Sequence, residues 1–209
     1  MQRQEAEEHL RVIRSLMEKA TVYRAISAPT ALIAGLLALG AAYWGYIQDP
    51  AYSDVPTVND KFQSALGFLP IWCSVLLVVG VANGWFLFRD ARRRKEKFVS
   101  NGMKMAVIAL IPSYLTAGVV SVVANSMPAT LTVIWTVFHG IGLLATGHFS
   151  PRSIQVLGWG FLLAGLSIII LAICGESLVP SPHLLMAVTF GGFHLIYAAC
   201  TWPRKSATH

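Results

Sequence analysis

Hydrophobic residues along this chain are gathered into six long runs that short polar segments separate. Each run is close to the roughly 20 apolar residues that a helix needs to cross about 30 Å of hydrocarbon. None of the runs has an Asp, Glu, Lys or Arg in its interior. The pattern therefore predicts an all-α integral membrane protein with spans over residues 24–48, 66–88, 105–124, 129–148, 154–175 and 183–201.

The segment before the first run has a different pattern. Leu10, Ile13 and Met17 recur at helical spacing, with charged residues on the other faces, which predicts an amphipathic helix within residues 1–23. This helix either packs beneath the bundle or uses these three side chains to dock a cytoplasmic protein or a second copy of the chain. The chain then divides into this helix, a bundle over residues 24–202 and a tail over residues 203–209.

Basic residues are distributed unevenly about the six runs. Fifteen of the 16 Lys and Arg residues fall on one side, and Lys61 alone falls on the other. By the positive-inside rule, both termini are expected in the cytoplasm. The net charge of +6 then indicates contact with the bilayer and with anionic lipids at the cytoplasmic face, and it requires no nucleic-acid partner.

Internal similarity between the spans predicts a repeat. Residues 29–35 of the first span resemble residues 112–118 of the third, with Pro at the start and Gly at the end of both. Phe138, Gly140 and Leu143 align without gaps on residues 190, 192 and 195. We therefore expect three two-helix hairpins in parallel orientation, although apolar segments also match by chance.

Two histidines, His139 and His194, are the ionisable residues inside the spans. They lie about midway along spans that run in the same direction, and the repeat alignment adds Asn83, so we expect all three to face one interior site. This site would bind a ligand or substrate, handle protons, or hold haem b between the two imidazoles. Structural hydrogen bonding is the alternative, and no other cofactor or metal is expected.

Polar residues outside the spans suggest less chemistry. Residues 49–63 form the longest connection on the side opposite the basic residues, and they are a candidate lid over the bundle. Glu176, Ser177 and His183 are expected to form a solvated turn on that side. The sequence signatures of nucleotide hydrolysis, zinc proteolysis and serine hydrolysis are absent from the chain, which leaves enzyme activity uncertain but disfavoured.

Three functions remain as hypotheses. The preferred one is a non-catalytic membrane subunit or sensor whose N-terminal helix docks a cytoplasmic partner. The alternative is a transporter of a small solute, ion or proton, with Asn83, His139 and His194 as its central polar site. The third is a b-type haem electron carrier with His139 and His194 as axial ligands.

Residues 13–21, 148–153, 157–159 and 190–197 also carry a resemblance. These segments read IRSLMEKAT, HFSPRS, LGW and FGGFHLIY, and together they resemble a group of uncharacterised bacterial six-span inner-membrane proteins. The resemblance covers most of the chain and implies a bacterial inner-membrane location with a single-domain architecture. It implies no activity, substrate or cofactor.

Overall fold

The computed structural model describes residues 7–8, 26–48, 58–94, 99, 101–124, 127–147, 150–175 and 181–202. Within these residues all regular structure is helical, and six helices are long and apolar enough to span a membrane. They are α1 Ala28–Gln48, α2 Val58–Arg94, α3 Asn101–Val123, α4 Pro128–Ala145, α5 Arg152–Ile173 and α6 Pro182–Thr201. The predicted all-helical, multi-pass membrane fold is confirmed.

Hydroxyl groups and prolines begin the first and last helices. Ser27 Oγ accepts a hydrogen bond from the Thr30 N–H at 3.3 Å, and Ser181 Oγ accepts one from the Leu184 N–H at 3.1 Å. Each serine satisfies a backbone donor that the first helical turn leaves without a partner. Proline follows within the first turn in both cases, where it has no hydrogen bond to lose.

The second helix is longer than the apolar run that predicts it. It comprises 37 residues, Val58–Arg94, whereas the run covers residues 66–88. Its start lies within the predicted connection of residues 49–63, so the expectation of a loop throughout that segment is wrong. A helix that continues from lipid into water keeps its backbone hydrogen bonds, and its polar side chains are solvated there. The end of the apolar run therefore does not mark the end of the helix. Residues 49–57 lie outside the described part of the chain.

The six helices pack on neighbours in the chain and, for the first and last helices, on each other. The most extensive contacts are between α4 and α5 and between α1 and α6. Consecutive helices α1 and α2, and likewise α3 and α4, also pack on each other, whereas α5 and α6 share a smaller contact. The arrangement as three equivalent hairpins stays a prediction.

Glycines permit the two closest helix pairs to approach. At Gly140 a Cβ atom would lie 2.8 Å from the Gly158 carbonyl oxygen of α5, and at Gly35 one would lie 3.0 Å from the Gly191 carbonyl oxygen of α6. In lipid, such small residues allow helix backbones to pack closely. Gly118, which the predicted repeat aligns with Gly35, instead faces open space, so the two aligned glycines do not serve equivalent contacts.

Two clusters of buried side chains form the core. One joins α1, α4, α5 and α6, and the other joins α1, α2, α4 and α6. The first consists of Ala31, Leu143, Ile154, Leu157, Phe161, Tyr197 and Ala198, and the second of Ala38, Ala42, Phe68, Trp72, Leu131 and Met186. On α4, Leu131 belongs to one cluster and Leu143 to the other, so the central turns of that helix lie between them. Large apolar side chains are exposed on the outer faces of the helices, as expected for a protein whose solvent is lipid.

Little of the predicted N-terminal helix is described. Glu7 and Glu8 are helical and exposed. The proposed docking residues Leu10, Ile13 and Met17 lie outside the described residues, as does the tail over residues 203–209. The amphipathic helix therefore stays a prediction.

Candidate functional site

The two histidines predicted to share an interior site are in contact. The ring centroids of His139, on α4, and His194, on α6, are 5.7 Å apart, with 49° between the ring planes. His194 is buried with 6% of its surface exposed, and His139 is half-buried. The pair lies between the two core clusters.

A tyrosine from a third helix holds His139. The hydroxyl oxygen of Tyr114, on α3, lies 2.7 Å from His139 Nδ1. Nε2, the other ring nitrogen of His139, is enclosed and has no hydrogen-bond partner among the described residues. Because a buried polar atom without a partner costs free energy, this nitrogen is the least satisfied part of the pair.

The orientation of His194 depends on its own helix. His194 Nδ1 lies 2.8 Å from the carbonyl oxygen of Phe190 in the preceding turn. A carbonyl oxygen only accepts, so Nδ1 carries the proton and donates it. In the neutral ring Nε2 is then left as an acceptor. His194 thus has one nitrogen committed to the backbone and one available for proton exchange.

A π-helical segment precedes His194 directly. Within α6, residues Pro182–Met186 and His194–Thr201 are α-helical, whereas Ala187–Phe193 are π-helical. Such segments are rare and occur frequently at functional sites. Here the segment contains Phe190 and Gly191, which contact His194 and α1 respectively. It is therefore part of the structure that positions the pair.

Close helix packing brings the other side chains of the site together. At Gly142 of α4 a Cβ atom would lie 3.2 Å from a ring carbon of Tyr114, so the absence of a side chain there admits the tyrosine. Ser113, the residue before Tyr114, donates a hydrogen bond to the carbonyl oxygen of Phe138, the residue before His139. These contacts set the register of α3 on α4 at the site.

Two phenylalanines form an apolar wall around the imidazoles. The ring centroid of Phe161, on α5, lies 4.5 Å from that of His139 and 5.6 Å from that of His194. Phe190 lies 5.1 Å from His139 and stacks on His194 at 6.3 Å, and the two phenylalanine rings are 4.9 Å apart. The histidines therefore sit in an apolar environment in which a neutral ring is favoured over a charged one.

The third predicted member of the site lies on a peripheral helix. Asn83 is half-buried on α2, and its amide oxygen is enclosed. None of the three predicted side chains is thus fully exposed to lipid. The sharing of one site by Asn83 and the two histidines stays a prediction.

A further histidine is buried where a solvated turn was expected. His183, at the start of α6, has 3% of its surface exposed. Its ring lies 5.4 Å from that of Phe68 and fills the space above Gly45, where a Cβ atom would overlap it. The expectation for His183 is wrong, because close packing of α1 on α6 covers a side chain that lies near the end of an apolar run. Glu176 and Ser177 lie outside the described residues.

Sequence reasoning did not find Tyr114, Phe161 or Phe190. A signal existed for Phe190, which lies four residues before His194 and so on the same helix face. Tyr114 and Phe161 join the site through packing between helices distant in sequence, and no pattern within one span indicates such a neighbour.

Comparison with known proteins adds no assignment to this geometry. No protein family, no curated protein and no solved structure matches the chain.

Proposed function

We propose that this protein transports protons, alone or with a small solute, and that His139 and His194 are the groups that bind them. The contact between the two imidazoles inside the bundle carries the proposal. Ionisable side chains are expensive within a membrane and are typical of ion and proton pathways. A purely structural pair would be expected to satisfy its ring nitrogens, whereas His139 Nε2 has no partner among the described residues.

The chemistry of imidazole suits this role. A histidine accepts a proton on one ring nitrogen and releases one from the other, which restores its net charge but exchanges the nitrogen that carries the proton. The ring must therefore reorient, or return a proton, before the next transfer in the same direction. Tyr114 adds a hydroxyl, bonded to His139 Nδ1, at one end of the row. The row then runs from Tyr114 through His139 to His194, which would accept and release the proton at Nε2 because its Nδ1 is bonded to the Phe190 carbonyl oxygen.

Proton flux into proteoliposomes tests the proposal. The purified protein is reconstituted with a trapped pH-sensitive dye, and a potassium gradient with valinomycin supplies the driving force. The variants are His139→Asn and His194→Asn, because the asparagine amide occupies the Nδ1 position and keeps the local hydrogen bond while the second ring nitrogen is lost. His183→Asn is the matched control, since His183 is buried on α6 outside the pair.

We expect both pair variants to reduce flux to the level of empty vesicles and the control to retain it. Native flux in both pair variants would remove the histidines from the pathway. Native protein that conducts no more than empty vesicles, under a pH gradient and under a potential, would overturn the transport proposal.

The other two hypotheses have separate tests. A haem macrocycle between the imidazoles would have to displace Phe161 and Phe190, whose rings contact both histidines. Haem binding stays a prediction, checked by the oxidised and reduced visible spectra. Docking of a partner also stays a prediction, checked by comparing the proteins captured by the intact chain and by a chain lacking residues 2–20.

A further inference from the structure

A second feature, independent of the histidine pair, lies at the basic end of α2. A cavity of about 330 Å³ opens there, and the described residues that line it are Trp85, Phe88, Arg89, Arg92 and Arg93. Their spacing of three and four residues places them along one face of the helix. The cavity thus combines three guanidinium groups with two aromatic rings.

The described residues supply one acid, Asp90, to the three guanidinium groups of this cavity. Asp90 lies near Arg89, with 3.8 Å between the carboxylate oxygen Oδ1 and Nε. The Nε atom is enclosed and has no hydrogen-bond partner among the described residues, although about 42% of the side chain is exposed. Arg92 and Arg93 are exposed. A buried donor and two further guanidinium groups therefore lie where an anion would satisfy them.

Aromatic rings hold two of the arginines in place. The guanidinium carbon of Arg92 lies 4.7 Å from the centroid of the Phe88 ring, and that of Arg89 lies 5.0 Å from the centroid of the Phe86 ring. Such cation–π contacts orient a long side chain before any ligand binds, which lowers the entropy lost on binding.

The position of Trp85 indicates whether the anion belongs to a lipid or is free in solution. This side chain is 64% exposed, and it lies on the apolar span one helical turn before Arg89. Tryptophan at the end of a membrane span occupies the headgroup region, with its ring against the upper acyl chains. A lipid molecule would place its phosphate on the arginines and its glycerol and chains against Trp85, whereas a soluble anion would make no use of the Trp85 ring.

We propose that this cavity is a binding site for the phosphate headgroup of an anionic phospholipid. The site differs from general attraction between basic residues and the membrane surface, because it is saturable and depends on particular arginines. Planar guanidinium groups match phosphate oxygens with two hydrogen bonds each, so replacing them is expected to weaken binding far more than replacing a lysine of equal charge.

Native mass spectrometry of the whole protein tests this site. Protein in neutral detergent is titrated with phosphatidylglycerol, and with phosphatidylcholine as the zwitterionic comparison. The variants are Arg89→Gln and Arg92→Gln, singly and together, and Trp85→Ala. Lys104→Gln is the control, because Lys104 is an exposed cation at the start of α3 that does not line the cavity.

We expect one saturable phosphatidylglycerol site that is weakened about tenfold by each arginine variant, the loss of one charge-assisted contact. Trp85→Ala is expected to weaken lipid binding severalfold, and Lys104→Gln to change it less than twofold. If Lys104→Gln weakens lipid binding as much as the arginine variants do, the effect depends on net charge alone, and the proposed site is overturned. A second contrary result is that millimolar inorganic phosphate displaces the lipid while Trp85→Ala leaves lipid binding unchanged. These two observations together would assign the cavity to a soluble anion and overturn its assignment to lipid.

Discussion

Replacing Gly140 by alanine is expected to separate α4 from α5 and to destabilise the protein. A Cβ atom at Gly140 would lie 2.6 Å from the backbone nitrogen of Leu162 and 2.8 Å from the carbonyl oxygen of Gly158. Ordinary contact begins at about 3.4 Å, so the two backbones must move apart by about 0.8 Å, the difference between 3.4 and 2.6 Å. Both obstructing groups are backbone atoms, and no side-chain rotation relieves them.

Overpacking of this kind costs roughly 1–3 kcal/mol in the free energy of unfolding. Alanine also has a higher helix propensity than glycine, by up to about 1 kcal/mol, which offsets part of the loss. Gly118→Ala is the matched control, because it carries the same propensity gain and its Cβ would meet nothing within 4 Å. The difference in unfolding free energy between the two variants isolates the clash, and we expect roughly 1–3 kcal/mol.

Titration of both variants with SDS in mixed micelles, followed by circular dichroism, measures this difference. The movement should also reach the site, because His139 precedes Gly140 and Phe161 precedes Leu162, and their rings are 4.5 Å apart. Proton flux of Gly140→Ala should therefore fall relative to Gly118→Ala. If Gly140→Ala is as stable as Gly118→Ala, the close crossing of α4 and α5 is refuted.

Other expected outcomes follow from single contacts. Tyr114→Phe removes the hydroxyl 2.7 Å from His139 Nδ1 and should cost about 1 kcal/mol, measured by the thermal midpoint in detergent; an unchanged midpoint would contradict the bond. Ser121→Ala leaves the Trp135 Nε1–H without its acceptor at 2.7 Å and should cost roughly 1–3 kcal/mol, whereas Ser167→Ala, exposed and bonded only within its own helix, should stay within about 0.5 kcal/mol. Alkaline phosphatase fused after residue 205 should be inactive, and active after residue 61, if the basic side is cytoplasmic.

The sequence predicts the spans well because burial in lipid depends mainly on local composition. The sequence pattern does not predict where α2 begins and ends, because the polar residues on both sides of the apolar run are also helical. The contact of His139 with His194 was expected from their matched depth, which is a property of each span taken alone. The sequence does not predict that Tyr114 and Phe161 join the site, because their position there depends on which helices become neighbours.

Comparison of the two matching segments shows the same limit at the level of single glycines. Gly35 and Gly118 occupy equivalent positions in matching segments, yet Gly35 faces α6 closely and Gly118 faces open space. Sequence similarity indicates shared ancestry or shared composition, and it does not assign a partner to each helix face. Packing between α1 and α6, the first and last spans, joins regions that no local pattern connects.

The π-helical segment of α6 makes the meeting of the two histidines depend on where in that helix an insertion or deletion falls. A π turn closes its hydrogen bond one residue later than an α turn, so Ala187–Phe193 accommodate a residue that a regular helix would not. Deleting one residue there would restore α geometry and leave His194 in nearly the same orientation relative to the start of α6, because the π segment already takes up the additional residue. Deleting one residue from the α-helical turn Pro182–Met186 would instead rotate His194 by about 100° relative to the start of α6. Loss of one codon would thus separate the imidazoles in the second case and keep them together in the first.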